Sequence, residues 1–149
     1  MKIKPKDLLA WDIVSVVLDT VDPMERKYLS DVIYSSINEK RVSDIPGAFD
    51  TSEVIQYTSQ NLFLAVKYVL GIVIPIYLDG FISLSLEDLK ERYKRRNPKP
   101  EESKYNVNHT PKEVEEIILS YCVKNKITKE VAESIANAVL VSLFLTKRR

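Results

Sequence analysis

A chain of 149 residues with 45% hydrophobic and 29% charged content can bury a sizeable core and is too apolar to be disordered. Its 22 basic and 21 acidic side chains leave a net charge of +1, which excludes a global field for holding a polyanion, so any nucleic-acid contact must come from local clustering. One cysteine excludes an intramolecular disulfide framework, and three glycines leave no material for a glycine-rich phosphate loop.

The first residues are basic and lead into Pro5 at a first helical position, with Asp7 in the first turn to complement the dipole. Leu8, Leu9, Trp11, Ile13, Val16, Val17 and Leu18 follow in a pattern wide enough for a mostly buried helix, with Trp11 as a core anchor. Asp12 and Asp19 interrupt this run and no small-residue cleavage site follows, so it does not read as a signal peptide; cytoplasmic residence is the expectation. Asp22-Pro23-Met24-Glu25 combines an N-cap, an N1 proline and an N3 acid, the start of a second helix. That helix is expected to run through Tyr28, Leu29, Val32, Ile33 and Ile37 and to fray near Asn38. A loop over residues 42–50 turns at Pro46-Gly47, and Asp50-Thr51-Ser52-Glu53 repeats the cap-and-acid pattern for a third helix.

The third helix enters the most apolar stretch of the chain, Leu62 to Leu86, which only Lys67 and Asp79 interrupt with charge. Three readings compete. In the leading one the helix stops at Gly71, Ile72 to Leu78 form a strand, Asp79-Gly80 makes a two-residue turn and Phe81 to Leu86 return as the second strand. In another the helix continues to Leu78 with a kink at Pro75. In the last, residues 62–78 anchor the chain in a membrane, although the segment is short of the roughly 20 apolar residues a span requires. The stretch as a whole is expected to be the hidden centre of the fold.

Ser85-Leu86-Glu87-Asp88 starts a further helix whose acids lie in its first turn and whose bases lie at its end. Residues 97–110 carry two prolines and no apolar period, and read as a linker. Thr110-Pro111-Lys112-Glu113 is a capping box, followed by Val114, Ile117, Ile118, Tyr121 and Cys122 along one helical face. Thr128 caps the last helix, in which Ala138 to Leu145 is apolar almost all round. Such a helix must be buried deeply or packed against a partner chain, which makes Val139, Leu140, Leu143 and Phe144 the candidate oligomer interface.

The expected fold is mainly α: five to six helices in a compact bundle, with one small β-hairpin around 72–86 as an optional element, and a C-terminal αα-hairpin. In domain terms, residues 1–96 form a helical body, 97–110 a polar linker and 111–149 a helical hairpin that packs on the body or on a partner.

Residues able to carry catalysis are few. His109 lies in the polar linker and Cys122 on an apolar stripe, so neither has the base or orienting group that nucleophilic chemistry needs. Together they cannot assemble an ordinary zinc site, and no cofactor or metal is expected. Helical ribonuclease toxins of the HEPN type carry an arginine separated from the histidine by four to six residues; positions 102–104 here are Glu102, Ser103 and Lys104. Glu87-Asp88-Leu89-Lys90 faintly echoes a metal-dependent nuclease centre, but helix capping accounts for the same acids, and Glu115-Glu116 reads as a solvated face.

The charge cluster worth weighing is Lys90, Arg92, Tyr93, Lys94, Arg95, Arg96 and Lys99, a candidate contact to phosphates or to an acidic partner, with Tyr93 available to stack on a base. The leading expectation is therefore a non-enzymatic helical interaction or assembly subunit, oligomeric with itself or with another protein. Its basic segment would contact nucleic acid weakly and without sequence preference. A membrane-associated protein anchored through residues 62–78 and a helix-turn-helix protein built on the last two helices stand as alternatives.

Overall fold

The computed structural model describes residues 2–42, 58–74, 80–94 and 107–145. The chain is mainly helical, with seven α-helices and a two-stranded antiparallel sheet among these residues. In order they are β1 (Lys2–Ile3), α1 (Pro5–Val21), α2 (Pro23–Arg26), α3 (Leu29–Val42) and α4 (Thr58–Val73). Then come β2 (Ile82–Ser83), α5 (Leu86–Tyr93), α6 (Pro111–Lys124) and α7 (Lys129–Leu140), which runs on into a π-helical turn, Val141–Leu145.

The centre is α1. From Lys6 through Leu18 only Asp7 and Val16 escape burial, because α2, α4 and α7 all pack around this one helix. Ile13, Val14 and Leu18 are wholly enclosed, each contributing about 1.5–3 kcal/mol by leaving water. This corrects the expectation that residues 62–86 form the hidden centre. Helix α4 is two-sided: Leu62, Val66, Val69, Leu70 and Val73 are buried, whereas Leu64, Tyr68 and Ile72 are exposed.

Four of the predicted caps close as read. The Asp88 carboxylate accepts from the Ser85 backbone N–H (2.9 Å) while the Ser85 hydroxyl accepts from the Asp88 N–H (3.1 Å). Thr110 and Glu113 form the same reciprocal pair at 2.8 and 3.2 Å, and the Thr128 hydroxyl accepts from the Val131 N–H at 3.4 Å. Each places a helix start by satisfying an otherwise orphaned donor. Asp22 caps likewise, accepting from the Glu25 N–H at 3.1 Å.

The second predicted helix is in fact two. Hydrogen bonds from Lys27 N–H to the Met24 carbonyl and from Tyr28 N–H to the Glu25 carbonyl tighten the turn and end α2, and α3 restarts at Leu29. Tyr28 is thereby turned out to solvent. The break lets the two ends of α2 do different work. Glu25 accepts from the Thr58 N–H (3.1 Å) and from the Ser59 N–H, capping α4 from a distance. Arg26 donates to the carbonyls of Ser15 and Tyr93, both at 3.0 Å.

Ile72 and Val73 do not open the first strand of the expected hairpin at 72–86. Helix α4 passes Gly71 and continues through Val73, and the Ile74 N–H still donates to the Leu70 carbonyl at 2.9 Å. Residues 82–83 do form a strand, but its partner is the N-terminus, with Lys2 opposite Ser83 and Ile3 opposite Ile82. Gly80 leads into β2 at φ +96°, a conformation that favours glycine. Pro75 and Asp79, and with them the expected kink, lie outside the described residues, as do the loop at 43–50 and the predicted cap at 50–53. Among the described residues no helix is long and apolar enough to cross a membrane.

Helices α6 and α7 form the expected αα-hairpin, and the described end of the linker is docked. The Asn108 N–H donates to the Val73 carbonyl at 3.4 Å and Val107 packs against the core. Helix α6 packs on α4, with the rings of Tyr68 and Tyr121 4.7 Å apart, and α7 packs on α1. Val114, Ile118, Ile135 and Val139 thus belong to the same continuous core as α1.

Candidate interaction face

The basic segment is divided by the helix it lies on. Arg92, in the last turn of α5, turns inward and grips Asp12 of α1 through two hydrogen bonds, Nε to Oδ1 at 2.8 Å and Nη2 to Oδ2 at 2.6 Å. The Tyr93 hydroxyl donates to Asp12 Oδ1 at 2.9 Å, and the Tyr93 side chain is buried. Hydrogen bonding to Asp12 holds the Arg92 guanidinium even more firmly protonated than usual, and burial, with the Asp12 charge beside it, pushes the Tyr93 phenol well above its ordinary value. A bidentate pair of this kind is strong and geometrically specific. Its effect here is to fasten α5 to α1, with Arg26 closing the same cluster from α2.

Of the candidate nucleic-acid contacts, therefore, Arg92 and Tyr93 are committed to the interior, and no stacking surface is left on Tyr93. Lys90 and Lys94 are exposed. Arg95, Arg96 and Lys99 lie outside the described residues. Of the candidate oligomer interface, Val139 and Leu143 are buried in the chain's own core, and Leu140 and Phe144 are half-buried against it. The apolar face that α7 carries is spent largely on α1 and α6.

The remaining chemistry-bearing side chains are placed as bland ones. His109 Nδ1 lies 2.7 Å from Asn108 Oδ1, and Cys122 is buried, which pushes its thiol up. Glu115 and Glu116 are exposed, and Asp88 caps α5. Among the described residues no group of three or more His, Cys, Asp or Glu could hold a metal ion.

The face that does stand out lies around β1 and α4, and it was missed in the sequence. An open groove of about 510 Å³ is walled by β1, α1, the middle of α3, α4 and Phe81. Its floor is Trp11, stacked on Phe63 with ring centroids 4.2 Å apart and planes 15° from parallel. Lys67 Nζ sits 5.7 Å above the Phe63 ring and 3.6 Å from Asp7 Oδ1. On the opposite rim the alternation of a strand sets Lys2 and Lys4 outward while Ile3 is buried between them. Leu64 (58% exposed) and Phe81 (61%) complete the rim. From Leu64 an apolar row continues along α4 to Tyr68 (51%) and Ile72 (38%), one residue per turn. The legible signals were the Lys-Ile-Lys alternation and the lone lysine in an apolar stretch.

No family model, curated protein or solved structure matches the chain.

Proposed function

We propose that the chain is a non-enzymatic helical interaction subunit that assembles through the outer side of α4. What supports this is the row Leu64, Tyr68 and Ile72: large apolar side chains at four-residue spacing, exposed on a helix whose other side is buried. Contiguous exposed apolar surface on a folded domain is costly and is retained where a partner covers it. Oligomerisation was expected through the last helix; the reading moves to α4 because α7 is occupied by α1. A second copy of the chain is the partner that this row suits, since two such rows can pack side by side as helix on helix.

Light scattering across a concentration series tests the reading. The native chain is expected to dimerise or assemble further, and Leu64→Glu with Tyr68→Glu to leave a folded monomer. A native chain that stays monomeric at every concentration overturns self-assembly through this row.

A further inference from the structure

The groove beside the α4 row carries three lysines against one acid, Asp7, and it points to a second partner of different chemistry. Lys67 shares Asp7, but neither Lys2 nor Lys4 has a carboxylate within ion-pair reach among the described residues. The start of α1 lies on the same side: Lys4 is its N-cap residue and no side chain caps it, while Asp7 in the first turn offsets the positive end of the helix dipole. Between these cations the lining is mixed, with the Trp11–Phe63 stack, Leu64 and Phe81 giving an apolar part beside the polar Ser36, Gln60 and Asn61.

We propose that this groove binds an acidic peptide segment of a partner protein, one apolar or aromatic side chain entering over Phe63 and flanking carboxylates meeting Lys2, Lys4 and Lys67. The open form favours a stretch of chain over an enclosed small molecule, which would need most of its surface covered. Three lysines with an acid among them make a poor phosphate track, whereas they match a short run of carboxylates around an apolar anchor.

Trp11 is the only tryptophan in the chain, so its emission reports on the groove directly. The probe is a synthetic peptide of Asp and Glu flanking one central Phe, compared with the same peptide carrying Gln and Asn for the acids and with a single-stranded oligonucleotide. A saturable change in Trp11 emission is expected with the acidic peptide, weakened at least tenfold by Lys2→Glu with Lys4→Glu and by raised salt, with no response to the neutral peptide. Circular dichroism of the variant checks that the helices persist; should it unfold, Lys2→Gln with Lys4→Gln takes its place. The absence of a saturable change, equal binding of the neutral peptide, equal binding by the variant, or tighter binding of the oligonucleotide each overturns the proposal. Because the lysine variants leave Leu64, Tyr68 and Ile72 intact, light scattering on the same samples separates failure here from failure of self-assembly through α4.

Discussion

Arg92 and Asp12, 80 positions apart in sequence, are joined by two parallel hydrogen bonds that fasten α5 to the central helix. Asp12 lies inside a helix that is buried nearly all round, and its carboxylate is only 6% exposed. An acid in that position is tolerable only with a cation and a donor beside it, which Arg92 and Tyr93 supply. The pair explains why a basic-looking segment does not present all of its bases to solvent.

Removing one member of this pair strands the other. Arg92→Ala is expected to cost about 3 kcal/mol, the lower end for breaking a buried ion pair, because Arg92 retains some solvent contact. Replacing both, Asp12→Leu with Arg92→Met, should recover most of that loss. Urea unfolding of the two variants checks it; equal destabilisation by both would mean that the charge pairing is not the source.

Gly71 tests the path of the chain past the expected hairpin. It is an exposed glycine inside α4, and a Cβ built on it meets nothing within 4 Å. Gly71→Ala is therefore expected to stabilise the protein by about 0.5–1 kcal/mol, through helix propensity and a less flexible unfolded chain. Thermal unfolding should show a higher midpoint, and a lower one would contradict a helix at this position.

The two capping boxes contribute to the acid limb of stability. Hydrogen bonds within the caps, from Ser85 to Asp88 and from Thr110 to Glu113, hold both carboxyls below their ordinary values. Folded values below the unfolded ones mean a stabilisation that is complete above the ordinary carboxylate range of about 4 and is lost as pH falls through the depressed values. Chemical unfolding at a series of acid pH values should give a shallower decline for Asp88→Asn with Glu113→Gln than for the native chain. Identical slopes would remove the caps as its cause.

Any weak nucleic-acid binding by the basic segment should follow its exposed cations. Lys90→Ala with Lys94→Ala is expected to reduce the salt dependence of DNA or RNA binding by about two released counterions while leaving stability unchanged. Arg92→Ala would weaken binding only through loss of fold, so the two variants separate surface charge from the Asp12 pair. Unchanged binding and salt slope in the lysine variant would remove Lys90 and Lys94 as contacts.

Helix starts were legible in the sequence because a cap is a local event. Ser85 with Asp88 and Thr110 with Glu113 need only four consecutive residues to close, and they close as read. The mainly α character and the buried Trp11 were legible for a similar reason, since apolar periodicity is written along one element. What tertiary structure alone decided are the matters that depend on distant partners. A run such as Val69 to Ile74 suits a strand or a helix by composition, and burial of Val69, Leu70, Val73 and Ile74 among the core outweighs the modest helical cost of Gly71. In the same way Lys90, Arg92 and Lys94 read as one cluster, yet helix phase aims Arg92 at an acid 80 residues upstream and its neighbours at water. Lys2, Lys4 and Lys67 read as isolated charges, and only the antiparallel pairing of β1 with β2 and the packing of α1 on α4 bring them around one groove. Local hydrogen bonding is encoded in neighbouring residues; which faces meet is settled by burial summed over the whole chain.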